Sequence, residues 1–90
     1  MQTIRLEGAI TLKTVTAQSA RVSVALAADS VTLDLAAVTD VDSTAVSMLM
    51  QALRDARVNG RDLKVTRPHD NILNLARLYG VETVLAGVWS

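Results

Sequence analysis

The spacing of apolar residues divides the chain into short segments of changing period. Residues 3–6 and 9–12 alternate weakly between apolar and polar around Glu7 and Gly8, which predicts two short strands joined by a tight turn. Residues 14–28 are rich in alanine and predict a helix with two competing faces. One face carries the bulky Val15, Val22 and Leu26; the other carries the smaller Ala17, Ala20, Val24 and Ala27. The bulky face is taken to point inward. Asp29 and Ser30 interrupt the helix, and Val31, Leu33 and Leu35 then alternate with Thr32 and Asp34, as in a strand with one covered face.

Residues 39–44 cluster helix-start residues ahead of Ala45, Val46, Leu49, Ala52, Leu53 and Ala56 at helical spacing. This helix is predicted to end at Asn59-Gly60, where glycine supplies a left-handed cap. Leu63 and Val65 flank Lys64 in another short strand, which Pro68 closes. Ile72, Leu75, Ala76 and Tyr79 sit at i, i+3, i+4 and i+7, a third helix that Asp70 or Asn71 would cap and Gly80 would stop. Residues 81–89 form a short apolar tail, with Val88 and Trp89 either folding back onto the core or projecting as a hook for a partner. The order strand, strand, helix, strand, helix, strand, helix (ββαβαβα) predicts an α/β fold, a small mixed β-sheet of about four strands packed with roughly three to four helices.

The chain has 90 residues, which predicts one domain spanning residues 1–90 without a linker. Composition narrows the function more than the fold. Half the residues are hydrophobic, and nine Lys plus Arg balance nine Asp plus Glu. A nucleic-acid binder would show a basic excess and stacking aromatics, whereas the only aromatics are Tyr79 and Trp89. With no cysteine and the lone histidine His69, a thiol nucleophile, a disulfide framework and a zinc site of the usual ligands are excluded. Residues 1–15 lack the apolar stretch of a signal peptide, and the longest unbroken apolar run, residues 24–28, is far too short to span a bilayer. A cytoplasmic protein is expected.

The most informative chemistry lies in Asp40-Val41-Asp42-Ser43-Thr44, which places hydroxyls and carboxylates where a strand passes into a helix. A helix N-terminus offers free backbone amides and a favourable dipole, so a phosphoryl group on Ser43 would be attracted there while Asp40 and Asp42 repel it. The plainer reading is that Asp42 or Ser43 caps the helix. At about 100° per residue, Ser43, Ser47, Met50 and Arg54 form one stripe off the core face. Met50 is an adaptable apolar contact and Arg54 an anchor for a protein partner, although both also suit ordinary boundary and solvated positions. Asp40 and Asp42 have no activating histidine nearby in sequence, His69 stands alone, and the glycines at 8, 60, 80 and 87 form no phosphate-binding loop. No catalytic residue and no cofactor site is expected.

The stretch from Val31 to Val46, running into residues 49–53 and Asn59-Gly60, resembles the central strand, loop and helix of STAS domains, the group that includes anti-sigma factor antagonists. Their hallmark, a hydrophobic residue, Asp, then Ser or Thr, stands here as Val41-Asp42-Ser43. Ser43 matches the phosphorylatable position and Thr44 the small or hydroxyl residue after it, while Ala45 replaces the glycine of many members. Residues 71–85, above all Leu75-Ala-Arg-Leu-Tyr-Gly, resemble the MlaB-type STAS subunit of the phospholipid-trafficking ABC transporter that maintains outer-membrane lipid asymmetry. The resemblance, over roughly residues 9–85, implies the STAS fold. It also implies a cytoplasmic, non-catalytic partner of the transporter's ATPase subunit, held at the inner membrane through a complex with a permease and not itself inserted. By that resemblance the hydroxyl at Ser43 matters for activity, and the expected partner surface joins it to the rest of the stripe and the helix start: Asp42, Ser43, Thr44, Ser47, Met50 and Arg54. The alternative it carries is an anti-sigma factor antagonist switched by phosphorylation of Ser43.

Overall fold

Strands alternate with helices and a second helix follows the last of these along Met1 to Trp89, the residues described by a computed structural model; Ser90 lies outside the described residues. The elements are β1 (Gln2–Ile10), α1 (Val15–Ala28), β2 (Val31–Val41), α2 (Ser43–Asn59), β3 (Leu63–Thr66), α3 (Asp70–Leu78) and α4 (Glu82–Leu85). The sheet has the order β1-β2-β3 with both pairings parallel.

The predicted opening hairpin and mixed sheet are corrected to a single long strand in a parallel sheet. Glu7 and Gly8 do not reverse the chain, and β1 runs on beside β2 from Gln2 opposite Val31 to Ile10 opposite Val41. The register slips between Arg5 and Glu7 and between Gly8 and Ala9, and each time β2 contributes one more residue than β1. Gly8 has φ of +74°, so its left-handed backbone accommodates a bulged stretch where a turn was expected. The extra residue near Ala36 also breaks the alternation of β2. Val31, Leu33 and Leu35 are buried at every second position, and burial then skips to Val38. The strand therefore continues to Val41, and Thr39 and Asp40 belong to it and not to a helix start.

Among the described residues only one face of the sheet is covered. Leu6, Ile10, Val31, Leu33, Leu35, Leu63 and Val65 turn toward the helices and are buried. Thr3, Arg5, Thr32, Asp34, Lys64 and Thr66 lie on the other face, exposed or half-buried. On the helical side α1 packs against α2, and α2 against α3. The bulky face of α1 points inward as expected: Val22, Ala25 and Leu26 are buried and Val24 is 74% exposed. α2 buries Ala45, Val46, Met48, Leu49, Ala52 and Ala56 and ends at Gly60, whose φ of 65° gives the left-handed cap. His69, and neither Asp70 nor Asn71, caps α3, its Nδ1 accepting from the Asn71 amide at 3.1 Å. The tail folds back: the Val65 amide donates to the Val88 carbonyl at 2.7 Å, and Trp89 bridges to Val65 and packs on the core. No described helix is long and apolar enough to cross a membrane.

The two faces of α1 make the packing testable. Leu26→Ala is expected to lower the unfolding free energy by about 2–5 kcal/mol, since a fully buried side chain leaves a cavity. Val24→Ala is expected to stay within about 0.5 kcal/mol. Urea denaturation of both variants measures the difference, and equal losses would reverse the orientation assigned to α1.

Candidate functional site

The first turn of α2 is built around Asp42. Leaving β2 in an extended conformation, Asp42 is the N-cap of α2: its Oδ1 accepts from the Thr44 amide at 2.9 Å and from the Thr44 hydroxyl. Its Oδ2 accepts from the Leu12 amide at 2.9 Å, in the loop between β1 and α1. One carboxylate thus satisfies an orphan amide of the helix start and ties it to a loop thirty positions earlier in the chain. The Thr44 hydroxyl, with the Leu12 and Thr44 amides, holds the Asp42 carboxyl below the usual carboxylate range.

This arrangement divides the roles of the predicted site residues. Asp42 and Thr44 are bound to each other, whereas Ser43 sits exposed at the first helical position, outside that hydrogen-bond set. Because the Thr44 amide is already taken, a phosphoryl group on Ser43 would lie beside the Asp42 carboxylate and compete with it for the same amide. Both oxygens of Asp42 accept within this clasp, from Leu12 and Thr44, while Asp40 is exposed on β2. Among the described residues no group of three or more His, Asp or Glu side chains converges as a metal site would require.

Along α2, Ser43, Ser47 and Arg54 are exposed and Met50 is half-buried, so the predicted stripe is a continuous ridge. A groove lies on either side of it. Toward α1, a groove of about 670 Å³ is lined by Thr16, Ser19 and Ser23 facing Thr44, Ser47 and Arg54. Toward α3, a smaller groove of about 360 Å³ is lined by Ser43, Val46, Ser47, Met50, Arg54 and two further residues, Tyr79 and Val81. Arg54 is held in place: its Nη2 donates to Gln51 Oε1 at 3.0 Å, and Gln51 Nε2 donates to Asp55 Oδ1 at 3.0 Å.

Tyr79 is a correction. Its spacing from Ile72 predicts an inward side chain, but α3 stops at Leu78 and Tyr79 becomes the C-cap, 55% exposed. Gly80, at φ of +70°, marked that end in the sequence, and a residue just before such a glycine has left the helical register. Met48 was also missed, a buried residue directly after the exposed Ser47.

The Asp42 clasp carries a pH signature. A carboxyl whose folded value is depressed contributes stability that is fully present above its unfolded value, about pH 4, and is lost as pH falls through the folded value. Asn keeps a cap oxygen for the Thr44 amide but loses the charge and the second acceptor used by Leu12. Wild type is therefore expected to exceed Asp42→Asn modestly in melting temperature near neutrality, with the gap closing on acidification toward pH 2. Thermal melts of both proteins from pH 7 to pH 2 check this; a gap that widens toward low pH would contradict it.

A family model described as "Mlab, STAS domain" matches residues 1–86. No curated protein matches the sequence. Among solved structures, the fold is similar to that of the anti-sigma factor antagonist SpoIIAA in its unphosphorylated form. The TM-score is 0.74 at 16% sequence identity, over 98% of this chain and 76% of that one. Identity that low speaks for the architecture alone, a helical layer on a small sheet. The family match runs through that junction and on through α3 into α4, and by it the chain belongs to the MlaB-type STAS domain family.

Proposed function

We propose that this chain is a non-catalytic accessory subunit that binds the ATPase of a phospholipid-trafficking ABC transporter and supports its assembly or activity. The observation that carries this reading is the match of residues 1–86 to the MlaB-type family. The α2 ridge supports it physically. Ser43, Ser47, Met50 and Arg54 stand out of the helical layer with grooves on both flanks, so a partner element can seat on either side without disturbing the core. In this reading Asp42 and Thr44 set the conformation of the helix start, Ser43 and Ser47 allow close approach, Met50 and Tyr79 supply apolar contact, and Arg54, pre-oriented by Gln51, pairs with the partner. The ATPase would hold the chain beside the permease on the cytoplasmic side of the inner membrane, with no part of it inserted in the bilayer. Neither a cofactor nor a nucleic acid enters the proposal.

A second reading, an anti-sigma factor antagonist switched by phosphorylation of Ser43, is favoured by the likeness in fold to SpoIIAA and by the exposure of Ser43. Charge added beside Asp42 would weaken the clasp and place a double negative charge on the ridge.

Co-purification separates these readings. Met50→Glu and Ser43→Glu are expected to reduce recovery of the ATPase subunit at least tenfold relative to wild type, with circular dichroism spectra unchanged. Equal recovery for all three proteins would remove this ridge as the docking surface. Mass spectrometry of the chain isolated from cells addresses the alternative: regulated, stoichiometric phosphate on Ser43 in a chain that brings down no ATPase would establish the switch in its place.

A further inference from the structure

His69 is the only histidine in the chain, and its side chain is the cap of α3. Following Pro68 in an extended conformation, it closes the first turn twice over. Its carbonyl accepts from the Ile72 amide at 2.9 Å, and its Nδ1 accepts from the Asn71 amide at 3.1 Å. Serine, threonine and asparagine cap with an oxygen that accepts at any pH near neutrality. An imidazole nitrogen accepts only while the ring is neutral. Once the ring is protonated both nitrogens carry hydrogen, and Nδ1 turns an N–H toward another N–H at the positive end of the helix dipole. The ring is half-buried, so protons reach it from solvent.

The charged groups around α3 do not replace the lost bond. Among the described residues no ion pair joins the imidazole to a carboxylate. Asp42, across the cleft from Asn71, uses both oxygens in its own clasp. Glu82 of α4 pairs with Arg77 at 3.0 Å, and Arg54 of α2 donates to Gln51. On either side of His69 in the chain, Arg67 and Asp70 are exposed; their opposite charges act on the ring in opposite senses, and neither takes the Asn71 amide.

We infer that His69 is a proton-operated cap, which closes the first turn of α3 when neutral and releases it when protonated. The effect reaches the Ser43 end of the domain. α3 has nine residues, too few to persist by propensity alone, and it supplies Asn71, Asn74 and Leu75 to a cleft of about 300 Å³ whose other wall is Val41, Asp42 and Ser43. The bond requires the neutral ring, so its stabilisation is present above the range in which a free imidazole titrates, about pH 6.5, and is lost as pH falls through that range. The Asp42 clasp opens only at more acid pH, because its carboxyl is held below the usual range. Between the two, one wall of the cleft loosens while the turn that carries Ser43 stays closed.

Thermal melts of three proteins at pH 7.5 and pH 5 test this: wild type, His69→Asn, which caps at both values, and His69→Ala, which caps at neither. At pH 7.5 wild type is expected to melt with His69→Asn and roughly 5 °C above His69→Ala. At pH 5 it is expected to fall to the level of His69→Ala or below it. In amide NMR spectra of wild type over the same range, the Asn71 resonance is expected to follow the titration of the His69 ring while the Thr44 resonance does not. A wild type that keeps one offset from His69→Asn at both pH values, a His69→Ala that melts with wild type at pH 7.5, or an Asn71 amide indifferent to the ring would each overturn the inference. The measurements use the chain by itself, so they fail or succeed independently of the ATPase co-purification.

Discussion

Strands laid side by side in chain order, all running the same way, constrain everything else in this molecule. Each return from the end of one strand to the start of the next must cross over the sheet, and with one face left open both crossovers pack on the other. The helices therefore form one layer, with α2 between α1 and α3. A helix in that position buries a broad stripe against the sheet and both neighbours, and only a narrow ridge remains outside. In α2 the inner surface carries Ala45, Val46, Leu49, Ala52 and Ala56, small enough near the neighbouring helices to let them approach, and the remaining ridge carries Ser43, Ser47, Met50 and Arg54. The candidate site is what the topology leaves exposed on its central helix.

Asp42 links that topology to the site. Its two oxygens hold the loop that opens the first crossing and the start of the second helix together, so the ridge is indexed to β1 through Leu12 as well as to β2 through the chain. The capping interpretation and the functional interpretation of the Asp-Ser junction are therefore compatible. Asp42 caps, and by capping it leaves Ser43 turned outward at the first position of the helix. A negatively charged group on Ser43 would act first on this clasp and only through it on the remainder of the helix.

Much of this was legible in the sequence because it rested on local periodicity. The inward face of α1, the start of α2 at Asp42 or Ser43, the left-handed Gly60 and the stripe from Ser43 to Arg54 all follow from local sequence patterns. The departures arose where two elements decide together. Glu7-Gly8 has the composition of a turn, but continuing beside β2 pairs the backbone out to Ile10 and buries both Leu6 and Ile10, which a reversal at Gly8 would forgo. The Ala36-Ala37 pair hides the second half of β2, because a bulge there changes which side faces the core. Tyr79 looked internal by its interval from Ile72, yet its position depends on where α3 ends, and Met48 is buried by neighbours of α2 that no window on α2 reveals. The Ser43 ridge was read from α2 alone, whereas its grooves, and the place of Tyr79 and Val81 in one of them, required the packed layer.

The two-sided character of α2 has a bearing on how such a domain changes over generations. Positions 43, 47 and 54 are solvent-facing, and the side chains that hold the helix in place lie on its other flank. Substitutions on the ridge then leave folding nearly untouched, while substitutions on the flank are filtered by stability whatever partner is bound. With the ridge as the docking surface proposed above, recognition and foldability would be inherited on separate sets of residues, and a lineage carrying this scaffold could drift from one partner to another through a handful of ridge positions without passing through an unstable intermediate.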